Sequence, residues 1–209
     1  MTEQQTTGRR LPEWAVMYVI HDAFRRDLQA LEATQAGLPA VRARWAVFAD
    51  QLHFHHLAED QVMWPPVRAR MADDPDGLAL MDAMEAEHAQ IDPLLAAVDA
   101  ALAAGDAGHA RRTAAFERLH ATLAGHLAHE ETDALPLISR VMAEAGVAAI
   151  FEAFGKLGGL RRGATLLPWA LSSASPDVRA QVLRRLPPPA RLLYRAVWLP
   201  RYRRATPPL

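Results

Sequence analysis

One pattern constrains this chain more than any other, because it is written twice. His55-His56-Leu57-Ala58-Glu59-Asp60 leads to Pro65, and His126-Leu127-Ala128-His129-Glu130-Glu131 leads to Pro136. Both read H-x3-E-[DE] with a proline six residues after the first glutamate, and they stand 71 residues apart. A sparser match runs from Met17-x3-His21 to Leu28 and from Met84-x3-His88 to Leu95, at an offset of 67. Two matches in the same order predict two helix pairs related by a pseudo-twofold axis.

The apolar spacing between these marks is helical. A first helix is expected from Leu11 to about Ala36, with Trp14, Met17, Tyr18, Phe24, Leu28 and Leu31 facing inward and Gly37 ending it. A second should open at Pro39 and run to about Met71, bent at Pro65 and Pro66. The loop Asp73-Asp74-Pro75-Asp76-Gly77 precedes a third, Leu78 to Ala104, and a fourth runs from Ala107 to Ala145, bent at Pro136 and stopped by Gly146. Long helices with short connections predict an all-α, antiparallel up-down-up-down four-helix bundle over residues 11–146.

Residues 147–209 read differently. Residues 155–209 carry eleven basic side chains against the single acid Asp177, about +10, which leaves 12 basic and 23 acidic residues, about −11, in 1–154. All nine histidines lie in the acidic part. Ser175-Pro176-Asp177 is a good helix start, Pro187-Pro188-Pro189 an interruption, and Trp169, Tyr194, Trp198 and Tyr202 need cover. This extension is expected to be helical and basic, packed on the bundle. Contact with nucleic acid or an anionic membrane is the less favoured reading, because no nucleic-acid-binding motif is present and prolines break any long amphipathic helix. No run approaches the length of an apolar membrane span, and the first fifteen residues, with Glu3, Arg9, Arg10, Pro12 and Glu13, lack a signal-peptide core, so a cytoplasmic protein is expected.

The chain has no cysteine, which removes disulfides, Fe–S clusters and thiolate zinc sites. Any metal must be held by nitrogen and oxygen. Residues four apart on a helix lie only about 40° from one another, so His55 with Glu59 and His126 with Glu130 each form a two-ligand claw. If four helices share a core, the claws and the lone His21 and His88 meet. Four imidazoles and two carboxylates suit two borderline ions, iron first, with manganese or zinc as alternatives. A calcium site would be richer in oxygen, and six ligands exceed a closed structural zinc site.

In the order H…HxxxE…H…HxxxE, residues 11–145 resemble the hemerythrin-like HHE cation-binding domain family. The resemblance implies di-iron ligands at His21, His55, Glu59, His88, His126 and Glu130. It also implies a non-haem pair, oxo- or hydroxo- and carboxylate-bridged, that meets O2, peroxide or NO. Oxygen-carrying members have a second histidine four residues away on the third helix, where this chain has Met84 and Asp92. That departure counts against reversible O2 carriage and towards peroxide, NO or redox chemistry.

Other residues carry weaker signals. Tyr18 and Glu85 hold equivalent repeat positions about 60° round from His21 and His88, so each is an additional oxygen ligand or a packing residue behind the site. His129 and Glu131 are placed to orient ligands or bind a partner. His56 and Asp60, about 100° round from the claw, read as surface or supporting residues, and His53, His109 and His120 as solvated. Ferritin-like bundles use E-x-x-H, which Glu85–His88 and Glu117–His120 match, but His120 lies about 120° from His126 on the same helix and cannot share its core. Two function classes remain: a di-iron protein that binds or turns over O2, peroxide or NO, and a sensor that signals through the basic tail without turnover. Oligomeric state is not encoded in these features.

Overall fold

The computed structural model describes residues 12–34 and 36–206. Leu11, the expected start of the first helix, lies outside them. A 3-10 turn, Pro12–Trp14, leads into α1 (Ala15–Ala33). Next come α2 (Leu38–Ala58), α3 (Trp64–Arg70), α4 (Pro75–Ala103), α5 (His109–His129) and α6 (Leu135–Val141). The extension adds α7 (Glu144–Leu171), α8 (Pro176–Arg185), α9 (Pro188–Leu193) and α10 (Leu199–Ala205). The fold is all-α, with no strand among the described residues.

Local chemistry sets the boundaries. Asp74 caps α4 by accepting from Gly77 N at 3.0 Å, ahead of Pro75 in the first turn. Ser175 caps α8 from Val178 N in the same way at 3.3 Å. The expected bends take a specific form. A π turn, Glu59–Met63, joins α2 to α3, and another, Glu130–Ala134, joins α5 to α6. A proline ring collides with the carbonyl four residues back in an α-helix. The wider turn, closed by Trp64 N to Glu59 O and by Leu135 N to Glu130 O, carries the chain past Pro65 and Pro136. Each π turn begins at the glutamate of a claw.

The fourth helix ends earlier than expected. Met142 is extended (φ −116°, ψ 134°), so α6 closes at Val141 and Gly146 falls inside the first turn of α7 instead of stopping its predecessor. The sequence marks Gly155, Gly158 and Gly159 as breaks in the apolar segment that follows; only Gly159 breaks it, at φ 60°, a conformation costly for any residue with a Cβ. Gly158 serves a close approach, since a Cβ there would lie 3.0 Å from the Phe54 ring.

Helices α1, α2, α4 and α5 touch in a closed ring, α1–α2, α2–α4, α4–α5 and α5–α1. Helix α7 packs on α1 and α2. Leu28, Phe48, Leu52, Ile91, Leu119 and Leu123 form one apolar core, and Trp169, Leu171, Val182, Leu183, Tyr194 and Trp198 of the extension belong to the same cluster. Burial of this kind stabilises by roughly 25 cal/mol per Å² of apolar surface. Polar ties add position: buried Asp27 on α1 accepts from Trp169 Nε1 at 2.8 Å and from Arg44 at 2.7 Å. Among the described residues, no single helix is long and apolar enough to cross a membrane.

Candidate metal centre

The ring of helices brings seven polar side chains into its interior, all buried: His21, His55, His56, Glu59, His88, His126 and Glu130. They fall into two adjoining groups whose donor atoms lie within 4.8 Å of one another, His21–His55–Glu59–Glu130 and His56–His88–His126. Glu59 faces both, with Oε1 3.2 Å from His55 Nε2 and Oε2 3.4 Å from His88 Nε2. Glu130 Oε2 lies 3.1 Å from His21 Nε2.

These approaches are close, yet none has hydrogen-bond geometry. The five Nε2 atoms and all four oxygens of Glu59 and Glu130 lack partners while cut off from water. Stranding so many polar atoms is costly. A cation of N/O preference placed among them would satisfy them together, so the residues fit a metal.

Three of the rings are satisfied on the opposite edge. His21 Nδ1 is 2.8 Å from Glu131 Oε1, His88 Nδ1 is 2.9 Å from Asp60 Oδ1, and His126 Nδ1 is 2.9 Å from Glu87 Oε2. An ionised carboxylate only accepts, so each Nδ1 carries the proton, and in the neutral ring Nε2 keeps a lone pair aimed inward; burial opposes charge on His21, but Glu130 and Glu131 outweigh it and raise its pKa. The repeated acidic doublets thereby gain a division of labour. The first acid, Glu59 or Glu130, enters the cluster. The second, Asp60 or Glu131, reaches across to the lone histidine of another helix, His88 on α4 or His21 on α1.

Burial, and then the neighbouring rings His21 and His88 respectively, push His55 and His56 well below the ordinary imidazole pKa. They stay neutral, the form that binds metals. Burial and the facing Glu130 push the Glu59 carboxyl well up. Burial opposes charge on Glu130 too, but His21 beside it outweighs this and holds it down. Glu131 is lowered to about 2 despite burial, by its bonds to His21 and to Arg25 at 2.8 Å.

Two readings of individual residues need correction. His56 is buried, not a surface residue, and it stacks on His88 with ring centroids 4.0 Å apart and planes 13° apart. The angular argument placed a single point of focus on α2. Two adjoining groups present a broader target, which neighbours 55 and 56 straddle. Glu85 points away, its side chain 48% exposed and 3.0 Å from Arg68, because that cation competes for it at the surface. Tyr18 is buried in the apolar cluster with Met63 and Met84. His129 is partly exposed and shares Glu87 with His126, at 2.8 Å. Glu87 carried no sequence signal beyond being an acid one residue before His88. His53 and His109 are exposed, and His120 pairs with Glu32 at 2.8 Å.

Fold and site together define an all-α protein with a buried imidazole–carboxylate cluster suited to hold metal. The profile of the hemerythrin HHE cation binding domain matches residues 14–138, and the chain belongs to that family. No curated protein and no solved structure matches it.

Proposed function

We propose that the cluster holds two iron ions and that the pair binds or reacts with O2, peroxide or NO. In this reading His21 and His55 would hold one ion and His56, His88 and His126 the other, with Glu59, which faces both groups, and Glu130 as the carboxylate ligands. The observation that carries it is the set of five bare Nε2 atoms and four carboxylate oxygens with no other partner. Neutral imidazole with carboxylate suits iron, with manganese and zinc as competitors for the same donors. Iron, when bound, supplies Lewis acidity and one-electron chemistry.

The protein's own part is positional. Glu131, Asp60 and Glu87 fix three ligand rings and their protons, and the apolar shell around Met17, Met63, Met81 and Met84 limits water. His56 supplies the imidazole that Met84 and Asp92 do not. Five imidazoles divided two and three leave fewer nitrogen donors on the His21–His55 side, which favours entry of a small ligand there.

A sensing role is the second reading, favoured by one contact chain. Trp169 of the extension packs on Phe24 at 5.0 Å, and Phe24 packs on His55 at 5.3 Å, so a change at the cluster has a packed route to the basic tail. Iron analysis with an optical spectrum tests the metal assignment. Steady peroxide consumption by iron-loaded protein supports turnover, and tight NO or O2 binding without it supports sensing.

A further inference from the structure

Trp64 is joined to the cluster by a shared carboxylate. Its indole Nε1 donates to Asp60 Oδ1 over 3.1 Å, and the same oxygen lies 2.9 Å from Nδ1 of His88. Indole, carboxylate and imidazole form one hydrogen-bonded chain that ends at the bare Nε2 facing Glu59. The Trp64 and His88 rings are 6.4 Å apart, and Trp64 is fully buried.

The other tryptophans lack this combination. Trp169 also donates to a carboxylate, but Asp27 is shared with Arg26 and Arg44, and the Arg26 guanidinium lies 5.7 Å from the Trp169 ring centre. Positive charge on that indole would be repelled. Trp45 donates to Asp99 at 2.6 Å, ten residues before His55 on α2 and within the apolar core. Trp14 donates to the neutral hydroxyl of Ser139. Of these four tryptophans, Trp64 alone has a carboxylate that stabilises positive charge on the ring and also touches a ring of the cluster.

We propose that Trp64 is a one-electron donor to the metal pair, with Asp60 and His88 as the coupling path; this rests on the iron reading above. Reduction of hydrogen peroxide to two waters takes two electrons and two protons. When a single ferrous electron remains in the pair, that electron supplies one and the Trp64 indole supplies the second. The O–O bond breaks, both oxygens leave as water with two protons from solvent, and the indole remains as a radical cation with its N–H still bonded to Asp60. Ascorbate, a one-electron reductant, restores it. The peroxide is thereby reduced completely and no half-reduced oxidant is released into the core.

The test uses full-length, iron-loaded protein poised with half its iron reduced, mixed with hydrogen peroxide and frozen within milliseconds. Electron paramagnetic resonance should show a tryptophan radical, identified by ring deuteration and absent from zinc-loaded protein. Trp64→Phe should abolish the signal and Trp169→Phe should leave it. Asp60→Asn, a change at a half-exposed positioning residue, should lower the signal per bound iron about tenfold. Peptide mapping after repeated peroxide additions should place ring oxidation on Trp64. A signal that survives Trp64→Phe, no signal from two-iron protein, or oxidation mapped to Trp14 or Trp169 overturns the relay and leaves the iron reading standing. Protein that takes up no iron overturns both.

Discussion

His56 lies flat against His88, ring centroids 4.0 Å apart and planes inclined by 13°, although the two residues come from different helices and different halves of the repeat. Both also approach His126, at 5.4 and 4.8 Å between ring centres. Three rings packed so closely have no hydrogen-bonding reason to aim partnerless Nε2 atoms at a common space. A metal supplies that reason.

His56→Ala should therefore weaken one of two metal sites. Titration of metal-free protein with iron(II) under anaerobic conditions is expected to show two tight equivalents in the parent. One tight and one at least about tenfold weaker is expected in the variant. His109→Ala, on the exposed end of α5, should match the parent.

Glu131→Gln should loosen the site without touching a ligand. It removes charge from the carboxyl that holds His21 Nδ1 and Arg25, and should cost about 1–3 kcal/mol of stability. In the folded protein the carboxyl is lowered to about 2 from the ordinary 4.5. Its contribution is complete above 4.5 and is lost as pH falls from there towards 2. Parent and variant should thus converge in acid denaturation curves; a constant gap across that range would contradict the assignment.

Metal-free protein should gain stability as pH rises from about 4.5 to 6.5. His55 and His56 are neutral when folded but take up protons below 6.5 when unfolded, so unfolding binds protons in that window. Glu59, whose carboxyl is pushed up, works in the opposite direction above 4.5. His126, also lowered by burial, adds to the two imidazoles, and together they outnumber it, leaving a net positive slope of about 1.4 kcal/mol per pH unit for each excess proton. Urea melts at several pH values measure the slope, and a negative one would contradict the burial of these rings.

Asp27→Ala should release the extension from α1. Asp27 is fully buried beside Arg26, Arg44 and Trp169, and its removal leaves two guanidinium groups facing a carboxylate-free gap. A loss of about 3–5 kcal/mol is expected. Hydrogen exchange should quicken in α7 and α8 before it does in α4.

Much of this architecture is legible in the sequence because it rests on local rules. Asp74-Pro75 and Ser175-Pro176 announce helix starts, and four-residue spacing puts His55 with Glu59 and His126 with Glu130. What escaped depends on tertiary context. Gly146 looks like a stop, yet Met142 turns the chain first. His56 looks misdirected only while a single focus is assumed. The pairing of Asp60 with His88 and Glu131 with His21 joins residues 28 and 110 positions apart, and only the assembled ring of helices reveals which histidine the second acid of each doublet reaches.

In the proposed centre, seven side chains from four helices and the two π turns that follow α2 and α5 hold two irons. Metal analysis of iron-loaded parent protein and of Glu59→Ala/Glu130→Ala, each with an optical spectrum and a thermal melt, tests it most directly. The parent should carry about two irons per chain and melt higher than its chelated form, since the empty cluster leaves buried donors uncompensated. The double variant should carry none. Two irons retained by the double variant, or a melting temperature indifferent to chelation, would contradict the account.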